Sequence, residues 1–187
     1  PGPGSTYSTW TDSGKAAANP IAVTAVGAEV SIFYLNVAAK TIRRLKSINN
    51  GASFTDELVI ALGFAVGAGA GIAAAYSPNG NIVVFYINAG ADVSWTRKIG
   101  AGAWPGLSIQ TVNGGITVLA EMATCGQPDN NLWPLAFTGN KATGDKYVWL
   151  SQYNWTTQTI AATKEVTNAT SATLYELHRP FLGADDQ

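Results

Sequence analysis

Val30-Ser31-Ile32-Phe33-Tyr34-Leu35-Asn36 and Ile82-Val83-Val84-Phe85-Tyr86-Ile87-Asn88 are one strand pattern written twice, 52 residues apart. The likeness extends on both sides. Ile21-Ala22-Val23 leads through Gly27 into the first copy, which is followed by Ile42-Arg43-Arg44; Ala73-Ala74-Ala75 leads through Gly80 into the second, followed by Val93-Ser94-Trp95. β-Branched and aromatic runs of this length, bounded by Gly and Asn, read as strands of small antiparallel sheets.

Outward from this pair, Gly115-Ile116-Thr117-Val118-Leu119-Ala120 parallels Gly71-Ile72-Ala73-Ala74-Ala75, with Leu132–Phe137 and Lys146–Leu150 as later strands. An aromatic followed by Thr or Pro recurs at Trp10-Thr11, Phe54-Thr55, Trp104-Pro105 and Trp155-Thr156, at spacings of 44, 50 and 51 residues. Turn clusters such as Ser77-Pro78-Asn79-Gly80 separate the strands. A repeat of about 40–50 residues with four strands is the unit of a β-propeller. The expected fold is therefore all-β: a small β-propeller of about four four-stranded antiparallel blades, as one domain over 1–187. The units are 16–62, 63–112 and 113–160, with the last blade completed by 161–181 and 5–12. If the ends do not close the ring, a homo-oligomer completing a larger one is the alternative.

The Ile-Ala, Phe-Tyr-x-Asn and aromatic-return pattern over about residues 15–160 resembles the blades of fungal fucose-specific lectins. The resemblance implies a β-propeller with sugar sites between adjacent blades. The arginine those blades carry just before the aromatic pair is replaced here by Ser31 and Val83, and their glutamate on the next strand has no match in Arg43-Arg44 or Ser94-Trp95.

Composition narrows the function classes. Only 12% of the 187 residues are charged, and 11 basic against 12 acidic residues leave a net charge of −1. No basic face emerges to hold a phosphate backbone, which argues against nucleic acid. One cysteine, Cys125, excludes an intrachain disulfide and a cysteine-built metal site. Neither that thiol nor the Pro1-Gly2-Pro3-Gly4 opening distinguishes a secreted from a cytoplasmic protein.

Enzymatic chemistry finds little support. His178 is the only imidazole, and no nucleophile-elbow sequence accompanies it. The carboxylates Asp12, Glu29, Asp56, Glu57, Asp92, Glu121 and Asp129 form no repeat-related pair and read as turn or surface groups. Asp56 and Glu57, being adjacent, belong on opposite faces of a strand. Asp12-Ser13-Gly14 resembles the start of a sialidase Asp-box but lacks the trailing Thr-Trp. Gly67–Gly71 lacks the lysine and helix of a nucleotide loop. No cofactor or metal is expected.

The aromatics carry the functional expectation. Six Trp and seven Tyr exceed the needs of a core this size, and a flat ring beside polar groups suits the apolar face and hydroxyl rim of a sugar. The expected activity is non-enzymatic, lectin-like glycan binding at several shallow sites, built from Trp95, Arg97, Trp104, Trp155, Trp10, Arg44 and Asn88, with avidity gained through multivalency. Two alternatives stand beside it: a protein-interaction propeller, and a membrane-active or pore-forming protein using Leu58–Ala75, eighteen residues without a polar side chain. That stretch also reads as a last strand, a glycine-rich link and the first strand of the next unit.

Overall fold

The computed structural model describes residues 18–62, 71–77, 79–87, 92–106, 108–111, 116–124, 131–141 and 146–165. Every regular element among them is a β-strand. The first sheet holds β1 (Ala18–Val26), β2 (Glu29–Asn36), β3 (Thr41–Ser47) and β4 (Thr55–Ala61) in sequential order. The second holds β5 (Ile72–Tyr76), β6 (Ile82–Ile87), β7 (Asp92–Lys98) and β8 (Ser108–Thr111) in the same order. The third runs β9 (Ile116–Thr124), β10 (Leu132–Lys141), β11 (Lys146–Asn154) and β12 (Thr159–Ile160), with β13 (Lys164–Glu165) also on β11. All pairings are antiparallel, and the first strands meet between sheets, β1 against β5 and β5 against β9.

Local chemistry explains the hairpins. Val26 pairs with Glu29 across the two-residue turn Gly27-Ala28, where Gly27 sits at φ +56, a conformation open to glycine at no steric cost. After β2, the amide of Ala39 donates to Asn36 Oδ1 at 3.0 Å, and the amide of Lys40 donates to the Val37 carbonyl at 3.2 Å. The asparagine that follows the Phe-Tyr pair is thus a turn-former at position 36. Its sequence counterpart Asn88 lies outside the described residues.

The repeated strand occupies one register in both sheets. Ile21 and Ala22 face Tyr34 and Phe33, just as Ile72 and Ala73 face Tyr86 and Phe85. On the other side Phe33 is opposite Arg44, and Phe85 is opposite Trp95. The second sheet is covered on both faces, which is why β6 is apolar without interruption. Ile82, Val84 and Tyr86 join Phe33, Leu35 and Ile42 of the first sheet; Val83, Phe85 and Ile87 join Leu135, Phe137 and Trp149 of the third.

The third copy departs by one residue. Phe137 faces Met122 and Trp149, the rank that Phe85 holds in the second sheet. Yet Phe137 packs toward the second sheet, whereas Phe85 packs away from the first and toward the third. Since strand side chains alternate in direction, a one-residue slip exchanges the faces and erases the Phe-Tyr signature. Leu58–Ala61 lie in β4 and Ile72–Ala75 in β5, while 63–70 fall outside the described residues. Among the described residues, no helix is long and apolar enough to cross a membrane.

Candidate functional site

Arg44, on β3, points into the seam between the first and second sheets and is only 1% exposed. A buried guanidinium must be paired to be tolerated. Its Nε donates to Ser31 Oγ at 2.7 Å and its Nη1 to Glu57 Oε1 at 2.8 Å, while Nη2 donates to both Glu29 and the Tyr76 hydroxyl. Tyr76 in turn donates to Glu29, and Lys46 closes on the other Glu29 oxygen at 3.1 Å. Strand register builds this cluster: Arg44 is opposite Glu57 on β4, and Ser31 lies two residues before Phe33 on the same face of β2.

Trp104 marks the outer end of the seam. It comes from the segment joining β7 to β8, lies edge-to-face with Phe33 at 5.9 Å, and donates its indole N–H to the same Glu57 oxygen at 3.3 Å. Lys98 Nζ stands 5.7 Å from its ring centre. Half-buried, Trp104 thus presents an indole beside a carboxylate and an ammonium group.

The electrostatics hold the cluster in one state. Burial alone would raise Glu29, but hydrogen bonds from Tyr76, Lys46 and Arg44 outweigh it and keep the carboxyl below its ordinary value of 4.5. Burial likewise opposes Glu57, and Arg44, the Trp104 N–H and the nearby Lys98 charge again lower it. Tyr76 is pushed up to about 12, first by burial and then by its bond to Glu29, so it stays a donor at any ordinary pH.

A pH dependence follows. With folded values below the unfolded 4.5, the carboxylates stabilise the fold fully above that pH, and the contribution is lost as pH falls through the lowered values. Urea midpoints measured between about pH 6 and pH 3 are expected to fall more steeply for the wild type than for the E29Q/E57Q double variant. Equal slopes would show that Arg44 does not hold these carboxyls.

On the opposite side of the second sheet, Arg97 performs the matching task. Its guanidinium lies 4.6 Å from the centre of the Trp155 ring and donates to the Trp155 carbonyl. Trp155 is stacked on Trp133 at 5.1 Å and 18°. Adjacent residues of β7 thus send one cation to each seam, Arg97 to Trp155 and Lys98 to Trp104.

The residues expected from sequence therefore divide. Arg44 and Trp104 come together through Glu57. Trp95, Arg97 and Trp155 lie in the other seam. Trp95 is 4% exposed and edge-on to Tyr153 at 5.6 Å, so it packs the second sheet on the third rather than facing a ligand. The Trp155 ring is covered by a stacked Trp133 and by Arg97, whereas the Trp104 ring meets Phe33 edge-to-face and Lys98 at the longer distance of 5.7 Å. Trp10 and Asn88 lie outside the described residues, as do Cys125 and His178.

Sequence reasoning missed Glu29, Glu57 and Tyr76. It placed Glu29 and Glu57 among unrelated surface carboxylates, whereas both converge on Arg44. Counting back from the turns would have put Glu57 opposite Arg44. Asp56 does point the other way, to Arg43 at 3.0 Å and Tyr34 at 3.1 Å. Among the described residues, no group of three His, Cys, Asp or Glu could hold a metal.

No protein-family profile matches the chain, and no curated protein matches it. Solved structures do. A point mutant of the NanB sialidase from Streptococcus pneumoniae aligns with a TM-score of 0.55 at 12% identity, over 74% of this chain and 22% of the sialidase chain. NanB with Optactamide aligns at 0.54 and 10% identity over the same shares. The likeness is one of fold: three antiparallel sheets in series, resembling part of a sialidase β-propeller domain.

Proposed function

We propose that this chain is a non-enzymatic, lectin-like carbohydrate-binding protein on a small β-propeller of about four blades, with its principal sugar site at the outer end of the seam between the first two sheets. The observation that carries this reading is Trp104, half-buried, with the Glu57 carboxylate 3.3 Å from its indole nitrogen and the Lys98 ammonium over the ring, 5.7 Å from its centre. An indole offers the apolar face of a pyranose a stacking surface, and carboxylate and ammonium groups close to it hydrogen-bond hydroxyls. The fold of carbohydrate-active proteins and the spacing of the aromatic repeats also support it.

Hydrolysis is the second reading, favoured by the contact of Tyr76 with Glu29 in a chain that shares its fold with sialidases, since a tyrosine serves those enzymes as nucleophile. The surroundings oppose it. Tyr76 is 7% exposed, its hydroxyl is engaged by Ser31, Arg44 and Glu29, and burial holds it protonated. Both nearby carboxyls are lowered rather than raised, so neither is poised as a general acid near neutral pH.

A glycan array followed by titration calorimetry tests the proposal. Millimolar or tighter binding of some sugar is expected, weakened at least roughly tenfold in Trp104→Ala and less in Trp104→Phe, which keeps a ring. Silence across the array, or affinity indifferent to Trp104, overturns it. Turnover of a fluorogenic glycoside that disappears in Tyr76→Phe would favour the enzyme instead.

A further inference from the structure

A charge taken partly out of water needs a counter-charge, and the cations of this protein differ in whether they have one. Arg44 is held by Glu29 and Glu57, Lys46 by Glu29, and Arg43 by Asp56. The two cations of β7 are not matched in this way. Arg97 and Lys98 are both half-buried, yet among the described residues neither has a carboxylate within ion-pair distance. Lys98 lies near enough to lower Glu57, but that carboxylate is already bound by Arg44 and the Trp104 N–H. The first seam therefore brings three cations, Arg44, Lys46 and Lys98, to two carboxylates, Glu29 and Glu57. Among the described residues Arg97 has one acceptor, the Trp155 carbonyl, which leaves most of its N–H groups without a protein partner. The Tyr153 hydroxyl, fully buried, has no partner either. Burial raises its pKa and the Arg97 charge opposes the rise, so the two groups share one corner of the second seam.

We infer that Arg97 and Lys98 receive the acid groups of the ligand, so that this protein takes a glycan carrying carboxylate or sulfate groups in preference to a neutral one. The inference deepens the lectin reading above and rests on it. Each unmatched cation stands over an indole of the repeating aromatic series, Arg97 4.6 Å from the Trp155 ring centre and Lys98 5.7 Å from that of Trp104. Attraction to a ring face holds a cation in place without neutralising it. An acid group does neutralise it: a guanidinium takes carboxylate or sulfate oxygens through paired N–H bonds, and an ammonium takes them as a point charge. Trp104 stays the stacking surface, with Lys98 at hand for an acid group on the stacked sugar. At Trp155, whose ring is covered by Trp133, the contact is ionic and made by Arg97. One strand arms both seams because consecutive side chains of β7 point to opposite faces. A neutral sugar leaves both charges unmet.

The test uses the full chain and matched oligosaccharides, one bearing uronic acid carboxylates, one sulfated and one neutral. In titration calorimetry at low salt, the better acidic sugar is expected to bind at least roughly tenfold more tightly than the neutral one, and the ratio to fall as salt is raised. R97Q/K98Q is expected to bring that ratio below about threefold. Lys40→Gln, which removes an exposed cation from the turn between β2 and β3, is expected to leave it unchanged. Should R97Q/K98Q not fold, Lys98→Gln alone is read in the same way and is expected to lower the ratio at least roughly twofold. Equal affinity for acidic and neutral sugars overturns the inference and leaves the lectin reading in place. So does an acidic preference that the β7 variants retain, or one that Lys40→Gln lowers as much, which assigns it to net charge. Silence toward every sugar, neutral ones included, ends both readings and is thereby told apart from failure of this one.

Discussion

Arg44→Met is expected to be among the most destabilising single substitutions in this protein, at about 3 kcal/mol or more. The side chain is 1% exposed and meets four partners. Removing it puts a methionine where the guanidinium stood, leaving Glu29 with Tyr76 and Lys46, Glu57 with the Trp104 N–H, and Tyr76 with Glu29 and Ser31. The two carboxylates are 28% and 32% exposed and keep some hydration, which places the effect toward the lower end of the range for a broken buried pair.

A combined variant separates charge from packing. R44M/E29Q/E57Q removes the two carboxylate charges together with the arginine, and it is expected to recover a large part of the loss, since a buried ion pair has little net advantage over apolar groups of similar size. Urea midpoints at constant m measure both. If Arg44→Met unfolds within about 0.5 kcal/mol of wild type, the seam is hydrated and the cluster is not structural. Register shows why the position is special: the second sheet has Trp95 and the third Trp149 opposite their phenylalanines, where the first has Arg44.

Phe85→Ala is the other large effect, at about 3–5 kcal/mol, from lost transfer energy and the cavity left behind. Phe85 is fully buried, edge-on to Tyr153 at 5.2 Å, and sits where the second sheet meets the third. For a chain of this length that corresponds to a fall in Tm on the order of 10 °C. Ile48→Ala, at a side chain 71% exposed, is the matched control and is expected to stay within roughly 0.5 kcal/mol. A Phe85→Ala protein as stable as the control would mean that the second and third sheets do not pack through this ring.

Much of the strand order was legible because a period-2 strand with a distinctive dipeptide keeps its partners when it repeats. Phe33-Tyr34 and Phe85-Tyr86 stand in one ladder register on both sides, with Ile-Ala opposite. The third copy was harder to read because its strand is displaced by one position, so the same faces are reached by different letters. Of the charge-free stretch from Leu58 to Ala75, the ends fall in β4 and β5 as the strand reading expected, and 63–70 lie outside the described residues. Of the candidate site, Trp104 and Arg44 could be named from sequence, but their connection through Glu57 could not.

Composition and periodicity determined that this chain makes antiparallel sheets in series, since local side-chain chemistry and turn residues are enough to specify strands and hairpins. Tertiary packing alone decided which aromatics are consumed as core, as Trp95 is, and which remain at a seam, as Trp104 does. The reason is physical: exposure of a ring and pairing of a buried charge depend on what the neighbouring sheet places against them, and no single strand carries that information.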